Sequence, residues 1–403
     1  MDNEKLMLKG VKVVELATFV AAPSCTKLMA DWGADVIKVE ALFGDAIRGM
    51  GGTFNAPMTD EENPMYELEN GNKLGIAIDI KDEKGMEILF RLLENADVFV
   101  TNIREQSLAK SGLSYNQLKE RFPKLIHAHI LGYGEDGPLK DKPGFDYTAY
   151  FARGGVSMSL MEKGTSPANT AAGFGDHYAG MGLAAGILAA LYRQAKTGQG
   201  ERVTLSLYHA ALFGMGLMIT TSQYGNEMPL SRKVPNNPLM TTYQCKDGRW
   251  IQLALIQYNK WFPKFCKVIE REDLINEARF NSITAVVDCV DELVAIVEKE
   301  MMKKELSEWS ALLEEADLPF EKLQTVNDIL DCEQAWANRY LFKTRYSNGN
   351  EGILVDTPVR FETMGIKEYM PAPKLGEHSA HILENMGYTA DQISELQSTG
   401  VIK

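Results

Sequence analysis

Short Val- and Ile-rich runs alternate with helix-patterned stretches through the first 135 residues, and this alternation constrains the fold more than any other feature of the chain. Val11–Leu16 (VKVVEL) reads as a buried strand, Pro23 opens a helix running to Ala34, and Asp35–Val39 (DVIKV) is a second strand. The pattern returns as a strand at Leu74–Ile80, helical periodicity over Lys84–Asn95, a strand at Asp97–Thr101, a short helix at Leu113–Arg121 and a strand at Leu125–Leu131. Strands separated by helices pair in parallel through crossovers, because tight turns serve only antiparallel neighbours. The prediction is a doubly wound α/β domain.

Further along, a long helix is predicted from about Asp176 to Lys196, stopped by the turn TGQGE. A strand at Val203–Leu207 and an apolar helix at Tyr208–Tyr224 follow. Gly225–Pro238, rich in Asn and Pro, reads as a linker. After it, TTYQCKDGRWIQLAL reads as a hairpin turning at Asp247-Gly248, with helices near 288–303 and 305–316 and a closing helix at Ala390–Ser398. A chain of 403 residues is too long for one ordinary domain.

The formal net charge of -13 argues against nucleic-acid binding, which needs a basic footprint to neutralise phosphates. It leaves room for an anionic small ligand, since a local cluster of Lys and Arg outweighs the global sign within a Debye length. The five cysteines (Cys25, Cys245, Cys266, Cys289, Cys332) are scattered without any CxxC spacing, which predicts neither a disulfide framework nor a zinc site and points to a reducing cytoplasm. MDNEKLMLKG lacks the apolar core of a signal peptide. Gly180–Leu191, the most apolar stretch, is too short to span a bilayer. These features predict a cytoplasmic protein with no membrane or nucleic-acid partner.

Three motifs carry chemistry to be weighed. Gly132, Gly134 and Gly137 spell GxGxxG after a strand, but Pro138 and Gly144 deny a helix N-terminus for a pyrophosphate. A loop is the better reading than a dinucleotide site. His127 and His129 share one face of their strand, yet no acidic or cysteine partner lies nearby in sequence, so no metal is expected. Asp176 in GFGDHYAGMGLAAGILAAL stands after Gly at a helix start, where an N-cap is preferred. The small residues after it (Gly180, Gly182, Ala184, Ala185, Gly186) leave room for another backbone or a ligand. A carboxylate there is favoured in its charged form by the helix dipole and would serve as a covalent nucleophile. His177 beside it orients a group or is simply a neighbour. No GxSxG, HExxH or Walker A pattern appears.

LKGVKVVELATFVAAPSCTKLMADWGADVIKVE closely resembles the opening of the class III CoA-transferases, the family that includes formyl-CoA and carnitine CoA-transferases. NGNKLGIAIDIKDEKG, ADVFVTNIR, PGFDYTAYFARGG, the Asp176 segment, RWIQLAL, EARFNS, LSEWSALLEEADLP, TPVRF and PAPKLGEHS continue the resemblance in family order. It implies a Rossmann-like large domain plus a smaller α/β domain in an interlocked homodimer. Residues 1–224 would be the first part of the large, CoA-binding domain, 225–325 the small domain with linkers, and 326–403 the return to the large domain.

The resemblance places the acyl-carrying Asp at Asp176, with no permanently bound cofactor and with a CoA thioester and a small carboxylic acid as substrates. Asp176 would attack the thioester to give a mixed anhydride, and CoA thiolate would then give an aspartyl-CoA thioester that the acceptor acid attacks. Thr18, Phe19, Val20 and Ala21 match a loop lying against the thioester. Among cations, Lys73 and Arg104 sit in matching motifs, and Lys38, Arg48, Lys140 and Lys142 lie on loops or strand ends where the anionic CoA needs charge. Each of these is equally readable as a solvated surface charge.

Val20 stands where the formyl-CoA branch has Gln, which argues against oxalate. Phe145 replaces the His that racemases of this fold place before the Asp at position 146, which disfavours a racemase. A binding subunit without chemistry and a dinucleotide-dependent oxidoreductase are weaker still. The branch resembled most activates (R)-2-hydroxy acids such as (R)-2-hydroxyisocaproate in amino-acid fermentation, taking CoA from an enoyl-CoA such as isocaprenoyl-CoA. Phenyllactate, carnitine and other acids are the alternative acceptors.

Overall fold

The computed structural model describes residues 6–362 and 368–403, so the reading of MDNEKLMLKG falls partly outside the described residues. The chain divides into two compact units: Met1–Val156 with Asn169–Thr220 and Glu333–Lys403, and Ser157–Ala168 with Thr221–Cys332. Ser157–Ala168, which the sequence reading left in the large domain, packs with the second unit. There the Glu162 carboxylate accepts from Ser231 Oγ at 2.5 Å and from Arg232 N at 2.9 Å.

The first unit begins β1 (Lys12–Leu16), α1 (Ala21–Asp31), β2 (Asp35–Glu40), α2 (Pro64–Asn70), β3 (Leu74–Ala77), α3 (Glu83–Glu94) and β4 (Val98–Thr101). It continues with α4 (Glu105–Lys110), α5 (Tyr115–Arg121), β5 (Ile126–Leu131), a wide π-helical turn at Asp146–Arg153 and the one-turn α6 (Val156–Ser159), whose last three residues belong to the second unit. Then come α7 (Phe174–Thr197), β6 (Arg202–Ser206), α8 (Leu207–Gly214) and α9 (Gly216–Ser222).

The six strands pair in parallel in the order β3-β2-β1-β4-β5-β6. This is the order of the dinucleotide-binding folds. Consecutive side chains point to opposite faces of a strand, and both faces are covered. Val13, Val98, Val100 and Ile126 pack with α1 and α7 residues such as Met29 and Leu183. Val14, Phe99 and Ile76 pack with Leu89 and Leu92 of α3 and with Leu383 and Leu396 near the C-terminus.

The second unit holds β7 (Thr242–Gln244) and β8 (Trp250–Leu253), the hairpin turning through Gly248 at φ +80°. Around it lie α10 (Tyr258–Val268), α11 (Ile283–Val286), α12 (Val290–Met301), α13 (Leu306–Glu315), β9 (Phe320–Lys322) and α14 (Val326–Leu330). Its own core is built on Tyr243, Phe262, Phe265 and Trp309. The first unit closes with α15 (Glu333–Ala337), β10 (Leu341–Arg345), β11 (Glu351–Val355), α16 (Ser379–Asn385) and α17 (Ala390–Ser398).

Three element readings shift. Helix α1 starts at Ala21, so Pro23 falls in the first turn, where no intrahelical N–H is required. The single helix read at Tyr208–Tyr224 is two, α8 and α9, around Gly214 and Gly216, whose low helix propensity marks the break. Helix α7 starts at Phe174, which moves Asp176 inside it.

Candidate active site

In a doubly wound sheet the crevice opens at the carboxyl ends of the two strands where the winding reverses. Here those strands are β1 and β4. The loops leaving them are clasped by one side chain: Asn102 Oδ1 accepts from Thr18 N at 3.1 Å, and Asn102 Nδ2 donates to Thr18 O at 2.7 Å. A cleft of about 1010 Å³ lies at this point, lined by Thr18, Phe19, Ala21, Arg104, Lys140, Lys142 and Asp176 together with Asn102, Phe145 and Asp146.

Asp176 is half-buried in the first turn of α7. It does not cap the helix. Gly173 is the N-cap at φ +80°, and no side chain of that residue can bond the free N–H groups. Asp146 supplies the bond from another segment, its Oδ1 accepting from Gly175 N at 3.1 Å. Gly175 is required by close approach, since a Cβ there would sit 2.4 Å from Asp146 Oδ1 and 2.3 Å from the Tyr150 ring. Asp146 Oδ2 is buried without a hydrogen-bond partner.

Burial and the neighbouring Asp146 push the Asp176 carboxyl up to about 7, with a smaller push from Glu69. Burial likewise raises Asp146 to about 6. The helix dipole, which favours the ionised form, is outweighed. His177 Nε2 lies 2.8 Å from Glu69 Oε1. Burial works against its charge, but this bond and the nearby carboxylates raise its pKa overall.

The small residues of α7 serve packing. A Cβ on Gly180 would meet Ser24 Oγ at 2.1 Å and Ala21 O at 2.9 Å, so α1 and α7 touch backbone to backbone. Gly182 and Gly186 likewise face Leu205 and Val203 of β6.

The loop from Gly132 to Gly144 pinches at its ends, with a Cβ on Gly132 falling 2.7 Å from Gly144 Cα. No helix follows Gly137 directly. The loop is tied down by Arg202, which pairs with Glu135 at 2.5 Å and with Glu105 at 3.3 Å. His127 and His129 aim Nε2 at the carbonyls of Leu113 and Ile103, at 3.3 and 2.8 Å. Burial lowers His127 to about 4, leaving it neutral.

The candidate cations part company. Arg104, Lys140 and Lys142 are exposed at the cleft. Lys38 and Lys73 are not available to a phosphate. Both are fully buried on Glu15, Lys38 Nζ at 2.7 Å from Oε1 and Lys73 Nζ at 2.8 Å from Oε2. Lys38 also pairs with Asp45 at 2.9 Å. Arg48 binds Glu40 through two nitrogens at 2.9 and 2.8 Å, covers the Tyr66 ring at 3.6 Å, and lines a separate cavity of about 250 Å³. Val20 is half-buried beside Gly173 and is not among the residues lining the cleft. Sequence reasoning missed Asn102, Asp146, Arg202 and Glu69 as site residues. The first two stand inside the quoted motifs TNIR and PGFD, while Glu69 is 108 residues from its partner His177.

The sequence pattern of CoA-transferase family III spans residues 8–379. The chain belongs to that family. A (R)-2-hydroxy-4-methylpentanoate CoA-transferase from Clostridioides difficile is 64% identical over 99% of this chain and 100% of its own length. A cinnamoyl-CoA:phenyllactate CoA-transferase from Clostridium sporogenes is 46% identical over 98% and 97%. A crystal structure of a CAIB/BAIF family protein from Brucella suis superposes with a TM-score of 0.83 at 28% identity, covering 95% of this chain and all of that one. This family III CoA-transferase is therefore an enzyme. None of its described helices is long and apolar enough to cross a membrane.

Proposed function

We propose that the enzyme moves CoA from an enoyl-CoA such as isocaprenoyl-CoA to (R)-2-hydroxyisocaproate, with Asp176 as the covalent carrier. The acceptor is the acid named for the 64%-identical relative, 2-hydroxy-4-methylpentanoate being the same compound. The observation that carries the site assignment is a half-buried carboxylate in the wall of the switch-point cleft whose pKa stands near 7. Such a group is ionised in part at neutral pH and is more basic, hence more nucleophilic, than a solvated aspartate.

Asp176 attacks the thioester carbonyl, the C–S bond breaks, and CoA leaves as the thiolate while the acyl group stays on the carboxylate as a mixed anhydride. The thiolate attacks the aspartyl carbonyl and releases the donor acid, leaving an aspartyl-CoA thioester. The acceptor carboxylate attacks that thioester and frees the thiolate again. The thiolate then takes the new acyl group, and Asp176 is restored. One thioester replaces another, so no ATP site is needed. Arg104, Lys140 and Lys142 hold the CoA phosphates at the cleft.

Phenyllactate is the second acceptor, on the strength of the 46%-identical relative. The racemase alternative lacks its base, because Phe145 carries no titratable group. The exposed apolar Phe213 and Leu217, each at 77% exposure, support burial in a homodimer. The free cysteines support a reducing cytoplasm.

Incubation with isocaproyl-CoA, hydroxylamine trapping and mass spectrometry of the Asp176 peptide tests the mechanism. A hydroxamate on Asp176 is expected. An unmodified Asp176 in protein that still transfers CoA would place the carrier elsewhere.

A further inference from the structure

Phe19 has φ +64°. That left-handed region is rare for any residue with a side chain and a genuine outlier for a bulky one. The two residues around it are pinned as well: Thr18 is clasped by Asn102, and Val20 O accepts from Ser24 N at 2.7 Å in the first turn of α1. Phe19 N itself donates to Asp45 Oδ1 at 3.0 Å. Asp45 is 3% exposed and is braced from behind. Its Oδ2 pairs with Lys38 Nζ at 2.9 Å, its N–H donates to Glu40 Oε2 at 2.8 Å, and Lys38 is held in turn by Glu15 and the Ala17 carbonyl.

A buried ion network is poor evidence of a device for stability, since well-packed apolar groups of similar volume often do as well or better. Strained backbone persists where its surroundings over-determine it, and it gathers at functional sites. Both features meet at Phe19. Its ring stands edge-on to Phe145, with centroids 6.1 Å apart, and both residues line the cleft with Asp176.

We propose that Asp45, braced by the buried Lys38, is a positioning residue that holds Phe19 left-handed and so sets the apolar wall of the cleft beside Asp176. The proposal rests on Asp176 being the acyl carrier. A mixed anhydride is open to water, which adds to a carbonyl, breaks the C–O bond and returns Asp176 and a free acid. An apolar wall beside the carrier suppresses that side reaction.

The test measures CoA transfer and net acyl-CoA hydrolysis together for wild type, Asp45→Ala, Phe19→Gly and the double variant, with thermal unfolding as a control. Asp45→Ala is expected to lower kcat for transfer by about 10–100-fold while raising the hydrolysed fraction. A merely structural loss of folded enzyme lowers both rates together. In the Phe19→Gly background, where no ring is left to place and left-handed backbone is unstrained, Asp45→Ala should cost less than about threefold more. Equal cost in both backgrounds, or an unchanged ratio of hydrolysis to transfer, overturns the proposal. Should Asp45→Ala not fold, Asp45→Asn, which keeps the volume and sets an amide against Lys38, carries the same cycle. Wild-type enzyme that transfers CoA without labelling Asp176 would instead sink the reading beneath it.

Discussion

Lys38 in β2 and Lys73 just before β3 are fully buried, whereas Arg104, Lys140 and Lys142, on the loops that follow β4 and β5 of the same sheet, lie exposed at the cleft. Their surroundings differ first in a shared counter-ion. Glu15, on the central strand β1, places one carboxylate oxygen against each buried ammonium, and Thr26 Oγ1 donates to the same group at 2.5 Å. The acids divide in the same way. Burial acts to raise Glu15, but Lys38 and Lys73 more than offset it and hold the carboxyl at about 2. Asp176, with another acid beside it, is pushed the opposite way, to about 7. Burial makes a charge structural when its counter-ions are built in and reactive when they are left out.

The largest effect expected from this contrast is at Asp176. Asp176→Ala should cut transfer by about a thousandfold or more, with thermal stability at neutral pH unchanged or slightly higher because an unpaired, half-buried carboxylate is removed. An Asp176→Ala enzyme that unfolds more readily but still transfers CoA would reverse the two roles.

Glu15→Gln should do the converse. Removing one partner of a buried ion pair costs about 3–5 kcal/mol, read in chemical denaturation, while whatever remains folded should still label Asp176, with more acyl group lost to water because Lys38 loses part of its hold.

The pH responses should oppose one another. Asp176 has a raised folded-state pKa, so its contribution to stability is full below about 3.8 and is lost as pH rises through about 7. Over that same rise it ionises, so with Asp176 as the proposed carrier kcat/KM should climb with a midpoint near 7. Glu15 has a lowered pKa, so its contribution is present above 4.5 and lost as pH falls towards about 2. Stability of Asp176→Asn should therefore flatten between pH 4 and 7; a profile unchanged in that range would break the comparison.

The smallest effects belong to the exposed cations. Arg104→Ala, Lys140→Ala and Lys142→Ala should each raise KM for acyl-CoA by a few-fold at low salt, less at high salt, with stability shifts within about 0.5 kcal/mol. A cation whose removal leaves KM and its salt dependence untouched is a surface charge only.

The strand-helix alternation read from the first 135 residues supplies five strands of the sheet that forms, with β6 added from Arg202–Ser206, because neighbours such as Val13 and Val14 bury on opposite faces and only a doubly covered sheet satisfies both. The placement of Asp176 near the start of a helix was likewise legible, being a local matter of glycine and helix propensity. The fate of Lys38 and Lys73 was not. It turns on Glu15, 23 and 58 residues away, and sequence offers a charged residue no sign of which distant carboxylate it will meet.

The N-cap of α7 shows the same limit, since Asp146 takes the role from 29 residues away and frees Asp176 to face the cleft. The left-handed Phe19 bonds to Asp45, 26 residues distant, which pairs with Lys38 behind it. Periodicity and local propensity determined the sheet, its helices and the helix that bears Asp176. Which charges are neutralised, which acid stays basic and which backbone is held under strain were decided only by tertiary packing, because burial and the long-range contacts it enforces set those energies.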